Sequence, residues 1–396
     1  MNVTLKPRLL RGEINAIPSK SFAHRLLILA AFADKPTQLH CPDTNKDIES
    51  TVQCLRVLGA TIQRTDSGYT VFPAESIPEA AQLFCGESGS TLRFMLPVAG
   101  ALGVDAEFVL EGRLSKRPLS PLWEEMERMG CTIHWKSADR LYCTGKLQPG
   151  AYRIDGSVSS QFITGLILAF SLMNSGCSLE INGSLQSKPY LDITKETVSL
   201  FCGESEYPGR RNIHSPGYVA VEGDWSNAAF FLTAAALGSS VNVRGLNQDS
   251  VQGDRAVVTI LTQLEQGEQT ISSADIPDLV PILSVAAAAM HGAVFTDIQR
   301  LRLKESDRVS AIITMLRALG IHAEATEETL RVWPGPITGR TVDAVNDHRI
   351  AMAAAIAATV ASRSVTILGA ECVQKSYPNF WEDYANLGGQ YEFNIR

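Results

Sequence analysis

Basic and hydroxyl side chains recur at the predicted starts of apolar helices. In "KESDR", Lys304 and Arg308 stand directly before an apolar pattern with helical spacing. The first-turn N–H groups of a helix already carry partial positive charge, so a helix start normally favours acids. The added cations therefore suit a bound anion better than they suit the helix. Arg offers a planar fork and Lys a mobile point charge, which favours a ligand with both carboxylate and phosphate groups.

Four other helix starts have the same character. They hold Lys20, Ser21 and Arg25 in "PSKSFAHR", Gly89, Ser90, Thr91 and Arg93 in "GESGSTLR", Ser159, Ser160 and Gln161 in "DGSVSSQF", and Asp347 and Arg349 in "NDHR". Arg117 in "LSKRPLSPL" and Lys375 in "CVQKSYPNF" are further candidates. Each motif alone could be a solvated helix end or surface charge. Five starts that each abut a buried apolar run predict a set of anion sites.

Three acids occur among these cations, and each has a structural alternative. Asp278 in "ADIPDLVPIL" could be only a helix N-cap. Glu305 could be a surface ion-pair partner beside a Ser306 cap. Asp347 could simply orient the two residues that follow it. Only a pocket that contains these carboxylates would make acid–base chemistry credible.

The elements that position these residues follow a repeated plan. An amphipathic helix that ends at a Gly and leads into a short alternating strand occurs in residues 52–63, 122–135 and 313–325, with a poorer copy in 257–271. Short β-type runs such as "TQLHC", "YTVFP" and "SVTILGA" lie between the copies. The pattern predicts an α/β protein of repeated units instead of one long wound sheet.

The chain length and the positions of Pro- and Gly-rich segments predict two domains. A chain of 396 residues is too long for one ordinary core. The first crossing is expected near Pro18 and the second in the Pro/Gly-rich segment 201–230. We therefore expect a discontinuous domain of residues 1–19 plus 224–396 and an inserted domain of residues 20–223.

Composition excludes several classes of protein. A net charge of −7 argues against a broad nucleic-acid-binding face. The N-terminus has no secretory pattern, and the most apolar runs are too short for a bilayer span, so no membrane association is expected. Eight cysteines without a C-x-x-C pair favour reduced thiols in the cytoplasm and no metal site. A Walker-type loop and a G-x-G-x-x-G fingerprint are both missing, so no nucleotide cofactor is expected.

Nine motifs in register resemble the family of 5-enolpyruvylshikimate-3-phosphate synthases. They are "SKSFAHR", "GESGSTLR", "KRPLSPL", "DGSVSSQF", "SKPYLDIT", "IPDLVP", "RLKESDR", "NDHRIAMA" and "CVQKSYPNFW". The resemblance covers nearly the whole chain. It implies the two-domain enolpyruvyl transferase fold, in which each domain has three β-α-β-α-β-β repeats around a pseudo-threefold axis and the domains close over the substrates. It also implies a monomer that needs no metal or organic cofactor.

The resemblance implies a role for each candidate residue. Shikimate 3-phosphate would be bound by Lys20, Ser21, Arg25, Ser159, Ser160, Gln161, Ser187, Asp278 and Lys304. Phosphoenolpyruvate would be bound by Lys20, Gly89, Arg117, Gln161, Arg308, Arg349 and Lys375. Arg93 would support its loop. Glu305 would act near the methylene carbon, Asp278 at the reacting hydroxyl, and Lys20 could share either proton transfer.

The implied activity is transfer of the enolpyruvyl group of phosphoenolpyruvate to the 5-hydroxyl of shikimate 3-phosphate with release of phosphate. Two alternatives remain open at this point. The first is UDP-N-acetylglucosamine 1-carboxyvinyltransferase, which resembles this family in fold and transfers the same group. The second is a non-catalytic anion-binding protein, although such a protein gains nothing from carboxylates beside its cations.

Overall fold

The computed structural model describes residues 1–173, 176–203 and 212–394. The chain divides into two compact units. We call Pro18–Glu222 the inserted unit, and Met1–Ile17 together with Gly223–Arg396 the discontinuous unit. The divisions thus lie one or two residues before the expected boundaries. Part of the expected second crossing, residues 204–211, lies outside the described residues.

The discontinuous unit begins the chain with β1 (Asn2–Lys6) and β2 (Arg11–Asn15). The inserted unit follows with α1 (Lys20–Ala30), β3 (Thr37–His40), α2 (Lys46–Val57), β4 (Thr61–Thr65), β5 (Gly68–Phe72), β6 (Ala80–Gly86), α3 (Gly89–Leu102), β7 (Asp105–Leu110), α4 (Leu122–Arg128), β8 (Cys131–Ser137), β9 (Arg140–Gly145), β10 (Ala151–Asp155), α5 (Ser160–Leu172), β11 (Ser178–Asn182), α6 (Lys188–Cys202) and β12 (Tyr218–Ala220).

The chain then returns to the discontinuous unit. Its elements are α7 (Trp225–Ala236), β13 (Ser240–Arg244), α8 (Val257–Gln266), β14 (Gln269–Ser272), α9 (Val280–Ala289), β15 (Ala293–Thr296), α10 (Arg308–Ala318), β16 (Ala323–Ala325), β17 (Leu330–Val332), β18 (Thr341–Asp343), α11 (His348–Thr359), β19 (Val365–Leu368), α12 (Phe380–Asn386) and β20 (Gln390–Asn394). Short 3₁₀ helices span Leu114–Lys116, Gly253–Ala256, Ile298–Leu303 and Ala370–Lys375.

One sheet pattern recurs in both units. In the run β6-α3-β7-α4-β8-β9, β6 pairs with β7 in parallel, and β9 pairs antiparallel with both β7 and β8. The order β6-β7-β9-β8 is repeated by β12-β3-β5-β4, β14-β15-β17-β16 and β18-β19-β1-β20. Short hairpins and parallel crossovers through a helix produce this mixed order. The predicted α/β repeats are confirmed.

Two copies of the repeat are shorter than the resemblance implied. The parallel pairs β10-β11 and β13-β2 form two-stranded sheets in the described part of the chain. Only Gly267 and Glu268 separate α8 from β14, so the segment 257–271 is a helix that ends at a glycine and leads into a short strand, as predicted. This strand pairs in parallel with β15 and opens the next repeat.

Each unit has its own hydrophobic core, built around the first helix of each repeat. In the inserted unit these helices are α1, α3 and α5, and in the discontinuous unit they are α7, α9 and α11. Every residue of α11 is buried, as are all but one in α5. The described helices include none with the length and apolar character to span a bilayer.

The second helix of a complete repeat is amphipathic and ends at a glycine. Gly59, Gly130 and Gly320 follow α2, α4 and α10 with φ of +105°, +111° and +86°. A left-handed residue at this position ends the helix and turns the chain into the next strand. These are the glycines that the sequence predicted for this purpose.

Candidate active site

The five polar helix starts are confirmed as helix starts. The helices α1, α3, α5, α10 and α11 begin directly after Ser19, Ser88, Ser159, Asp307 and Asp347. Their first turns contain no acidic residue. The N–H groups at the serine-capped starts of α1, α3 and α5 therefore keep their attraction for anions, whereas Asp307 and Asp347 place a carboxylate at the caps of α10 and α11.

Arg308 is the centre of a charged cluster in the discontinuous unit. Its Nη1 donates to Asp278 Oδ1 at 2.9 Å, and its Nη2 donates to Glu305 Oε2 at 2.5 Å. Its side chain is 1% exposed, whereas those of Asp278 and Glu305 are 18% and 24% exposed. One guanidinium thus joins the two carboxylates that were predicted to do acid–base work. Asp278 does not cap α9, since Leu279 occupies the cap position.

Asp347 anchors Arg308 from the buried side. It accepts from Arg308 Nε at 3.1 Å, from Ser306 Oγ at 3.0 Å and from Arg349 N at 3.0 Å. Orientation of Arg349 was predicted, but the ion pair with Arg308 was missed because 39 residues separate the partners. The predicted Ser306 cap is wrong. Asp307 accepts from Ser310 N instead, because the hydroxyl of Ser306 is used by Asp347.

Two further cations contact Asp278. Arg349 Nη2 donates to Asp278 Oδ2 at 2.9 Å, and Arg349 Nη1 donates to the Asp278 carbonyl at 3.2 Å. Lys304 Nζ lies 3.5 Å from Asp278 Oδ1. Asp278 is therefore held by three cations from two segments, Lys304 and Arg308 in "KESDR" and Arg349 in α11.

The pKa values in this cluster reflect burial and charge. Burial lowers the pKa of Lys304 to about 8, although Asp278 opposes the shift. Burial also acts to lower the pKa of Arg308, but the carboxylates of Asp347, Glu305 and Asp278 outweigh it and raise that pKa. Lys304 is thus the cation that can lose its charge near neutral pH.

Lys375 is 8% exposed, and its Nζ donates to the Asn346 carbonyl at 2.9 Å. This bond places the ammonium next to the turn that precedes Asp347 and Arg349. The structure therefore brings Lys375 next to the start of α11, through a contact that spans 29 residues of the chain.

Asp254 is a buried carboxylate that the sequence reasoning missed. It is 3% exposed, accepts from Ser226 Oγ, and its Oδ1 has no hydrogen-bond partner among the described residues. Burial, followed by the negative charge of Asp278, raises the pKa of Asp254 to about 7. Nothing in "QGDRA" distinguishes Asp254 from a surface acid, because its burial comes from packing against α7.

In the inserted unit, Lys20 forms an ion pair with Asp47. Its Nζ lies 3.0 Å from Asp47 Oδ2, and the two side chains are 16% and 15% exposed. Asp47 lies in the first turn of α2, so this contact joins the starts of two helices. It was not predicted, since the partners are 27 residues apart.

Arg25 is buried among neutral partners. It is 2% exposed, and its guanidinium donates to Thr194 Oγ1 at 2.8 Å, Thr164 Oγ1 at 3.2 Å and the carbonyls of Ser21 and Tyr190 at 2.5 and 3.0 Å. Burial lowers its pKa to about 9. Within the described residues no carboxylate offsets this positive charge.

Arg117 lies against the start of α3. A Cβ at Gly89 would lie 2.5 Å from Arg117 Nη1, so only glycine permits this approach. Arg117 Nε is buried without a hydrogen-bond partner, and its guanidinium makes no side-chain hydrogen bond or ion pair in the described ranges. A cation without a partner at an acid-free helix start is a site suited to an anion.

Gln161, in the first turn of α5, links the starts of α3 and α5. Its Oε1 accepts from Arg93 Nη1 at 2.6 Å, and its Nε2 donates to Ser90 Oγ at 2.9 Å. Arg93 also donates to the Pro118 carbonyl at 3.1 Å, next to Arg117. These bonds hold the starts of α3 and α5 and the Arg117 segment together, as expected for a supporting Arg93.

The remaining serines lie at helix starts of the same unit. Ser159 accepts from Gln161 N at 3.3 Å, Ser160 opens α5, and Ser187 precedes α6 with a left-handed φ of +56°. All three are buried. The structure therefore places Lys20, Ser21, Arg25, Gly89, Arg117, Ser159, Ser160, Gln161 and Ser187 in the inserted unit, and Asp278, Lys304, Glu305, Arg308, Arg349 and Lys375 in the discontinuous unit.

Comparison with known proteins identifies the family. The family model of EPSP synthase (3-phosphoshikimate 1-carboxyvinyltransferase) matches residues 5–384. A 3-phosphoshikimate 1-carboxyvinyltransferase from Clostridium kluyveri is 35% identical, with 98% of this chain and 97% of that protein covered. One from Clostridium beijerinckii is 34% identical, with 100% and 99% covered.

Solved structures agree in fold. An EPSP synthase from Acinetobacter baumannii superposes with a TM-score of 0.80 at 22% identity, covering 99% of this chain and all of that one. The enolpyruvyl transferase NikO from Streptomyces tendae gives 0.79 at 16% identity, covering 100% and 99%. The charged clusters therefore belong to an enolpyruvyl transferase fold, and the chain is a member of the EPSP synthase (3-phosphoshikimate 1-carboxyvinyltransferase) family.

Proposed function

We propose that this protein transfers the enolpyruvyl group of phosphoenolpyruvate to the 5-hydroxyl of shikimate 3-phosphate and releases phosphate. The observation that carries the proposal is the Arg308 cluster, in which one buried guanidinium holds Asp278 and Glu305 at 2.9 and 2.5 Å. An anion binder would gain nothing from these carboxylates, whereas an addition–elimination reaction needs both an acid and a base. Family membership supplies the substrates.

The ligand roles follow the charges of each unit. In the inserted unit we assign Ser21, Arg25, Ser159, Ser160 and Ser187 to shikimate 3-phosphate, Gly89 and Arg117 to phosphoenolpyruvate, and Lys20 and Gln161 to both. In the discontinuous unit we assign Lys304 and Asp278 to shikimate 3-phosphate, and Arg308, Arg349 and Lys375 to phosphoenolpyruvate. The support is the buried Arg25 among neutral groups and the Arg117 guanidinium without a partner.

The reaction requires two kinds of proton transfer. Protonation of C3 of phosphoenolpyruvate makes C2 electron-poor, and the 5-hydroxyl oxygen then bonds to C2 and gives up its proton. The tetrahedral intermediate loses a proton from C3, which restores the double bond and expels phosphate. We assign the C3 proton to Glu305 and the hydroxyl proton to Asp278, with Lys20 as a further candidate for either transfer.

The ion pairs of the Arg308 cluster give the substrate carboxylate a specific task. Arg308 and Arg349 are occupied by Asp278, Glu305 and Asp347. A phosphoenolpyruvate carboxylate bound to the same guanidinium groups must replace Asp278 and Glu305. Binding then releases those two carboxylates for proton transfer, while Asp347 keeps Arg308 in place from the buried side.

Phosphate release from the two substrates tests this function. We expect release with shikimate 3-phosphate and a fall in kcat of about 100-fold or more for E305Q and D278N. E324Q, at an exposed glutamate paired with His322, should retain normal turnover. Near-normal turnover of E305Q would remove Glu305 from proton transfer. Phosphate release only with UDP-N-acetylglucosamine as acceptor would favour a UDP-N-acetylglucosamine 1-carboxyvinyltransferase. Binding of the substrates without phosphate release would favour a non-catalytic anion-binding protein.

We also propose a cytoplasmic monomer that acts on small molecules and binds neither nucleic acid nor membrane. Its net charge of −7 supports the exclusion of nucleic acid. Light scattering after size exclusion should give a mass near 42.9 kDa. A mass twice as large would contradict the monomer.

A further inference from the structure

A buried chain of hydrogen bonds in the inserted unit runs beneath two of the proposed anion sites. His24 Nδ1 and Thr51 Oγ1 are 2.8 Å apart, Thr51 Oγ1 and Thr91 Oγ1 are 2.8 Å apart, and Thr91 Oγ1 donates to Ser88 Oγ at 2.8 Å. These four side chains are at most 1% exposed. Side chains buried this completely are not available to a ligand, so any contribution they make to a reaction must pass through other residues.

The spacing of the chain matches that of the charged pair above it. His24 follows Lys20 by one turn of α1, and Thr51 follows Asp47 by one turn of α2. Residues four apart lie on the same face of a helix, so the His24–Thr51 contact repeats the Lys20–Asp47 contact one turn further into the core. The same two helices are therefore joined twice, once at the surface by charge and once in the core by a neutral bond.

The chain then reaches the start of α3. Thr91 Oγ1 lies 3.3 Å from the Asp47 carbonyl, and Ser88 caps α3 by accepting from Thr91 N at 3.2 Å. Gly89, which the Arg117 guanidinium approaches, directly follows the Ser88 cap and is the first residue of α3. The hydroxyl of Thr91 therefore ties the α1–α2 pair to the α3 start that faces Arg117.

One direction of donation accounts for all three contacts between these four side chains. If the ring N–H is on Nδ1, His24 donates to Thr51, Thr51 to Thr91, and Thr91 to Ser88, with one proton used at each step. The other ring nitrogen, Nε2, is buried without a hydrogen-bond partner in the described residues, so a proton there would be unsatisfied and a neutral ring is favoured. Burial, then the charges of Lys20 and Arg25, lower the pKa of His24 well below its ordinary value, which agrees with a neutral ring.

We propose that His24, Thr51 and Thr91 are positioning residues that hold the starts of α1, α2 and α3 together, so that Lys20 and the Gly89–Arg117 pair act on one phosphoenolpyruvate molecule. This inference rests on the proposed function. The phosphoenolpyruvate site requires Lys20 and Arg117 to be held at a fixed separation. Buried hydrogen bonds that fix the helix starts reduce the conformational entropy that is lost when the ligand binds. Loss of one buried hydroxyl leaves its former partners unsatisfied in the core.

Matched substitutions at Thr51 test the inference. T51V keeps the shape and removes the hydroxyl, whereas T51S keeps the hydroxyl. We expect T51V to raise the KM for phosphoenolpyruvate about tenfold, equivalent to about 1.4 kcal/mol, with kcat changed less than twofold. T51S should stay within twofold of the wild type. T233V is the control, because Thr233 is equally buried but its hydroxyl has no partner in the described part of the chain.

A titration with inorganic phosphate separates this inference from the proposed function. If the wild type releases no phosphate from the two substrates, the proposed function fails, and the phosphate affinities of wild type, T51V and T51S decide the inference. Weaker binding by T51V alone supports it. Equal KM and equal phosphate affinity in T51V and wild type, or the same loss in T51S or T233V, overturns it. If T51V does not fold, T91V and T91S replace the pair, with the same outcomes.

Discussion

Gly89 and Arg117 show how closely a side chain and a helix start can share one site. The guanidinium occupies the space that a Cβ at residue 89 would need, and it has no partner of its own in the described residues. A ligand anion would therefore meet the N–H groups of α3 and the Arg117 fork together. The preference for glycine here comes from this close approach, because Gly89 has no unusual φ.

G89A should separate ligand binding from stability. The new Cβ meets the far end of a flexible side chain, so we expect the guanidinium to move while α3 stays in place. The KM for phosphoenolpyruvate should rise about tenfold or more, as for a lost charged hydrogen bond, with little change in melting temperature. G335A is the control, since a Cβ at that half-buried glycine meets only Ile321, at an ordinary contact distance of 3.5 Å. An unchanged KM in G89A would argue against the role of Arg117.

Lys304 should make shikimate 3-phosphate binding depend on pH. Its pKa of about 8 means that the free protein loses this positive charge as the pH rises through 8. We expect kcat/KM for shikimate 3-phosphate to fall above pH 8, because a neutral amine attracts the phosphate less. K304R keeps its charge throughout this range and should lack that fall. An identical alkaline decline in K304R would assign the titration to another group.

At the scale of elements, helix starts carry the site because a helix end supplies N–H groups that no backbone partner uses. Capping residues decide where each start lies. The starts of α10 and α11 both have an aspartate cap, and the two caps differ in environment. Asp307 is 39% exposed, caps α10 and lies 3.4 Å from Arg302 Nη1, whereas Asp347 is fully buried and pairs with Arg308. The same residue type therefore stabilises α10 locally and the α10–α11 contact over a long distance.

D347A should be more destabilising than D307A. Removal of Asp347 takes a carboxylate from the buried Arg308, for which a loss of about 3 kcal/mol in the free energy of unfolding is expected. Removal of an exposed N-cap is expected to lower it by about 1 kcal/mol. Urea denaturation of both variants measures the difference. Equal losses would mean that Glu305 and Asp278 alone satisfy Arg308.

At the scale of the whole molecule, each unit has its own core and contributes its own share of candidate residues. The core of each unit is built around the first helix of each repeat, and several of these helices carry the polar candidate residues at their starts. Burying those starts also buries ionisable groups such as Asp254 and His24. Global stability should therefore respond to pH through groups outside the reaction itself.

Asp254 should lower stability as the pH rises from about 4 to about 7. Its pKa is raised in the folded state, so the folded protein binds a proton that the unfolded chain has already released, and the free energy of unfolding falls as the pH rises. D254N cannot ionise and should lack this slope, so it should be more stable than the wild type at pH 8. Urea unfolding at pH 5 and pH 8 measures this. D249N, at an exposed residue, is the control, and parallel slopes in wild type and D254N would contradict the assignment.

Local sequence patterns were sufficient to predict the helix starts, the glycines that end the second helices of the complete repeats, the α/β repeats and the family. These features depend on residues close together in the chain, such as a cap, an apolar period or a turn residue. Only the tertiary fold showed that Arg308 pairs with Asp278 and Asp347, that Asp47 pairs with Lys20, and that Asp254 is buried. Such contacts join segments that many residues separate, and a local pattern carries no information about which distant side chain will satisfy a buried charge.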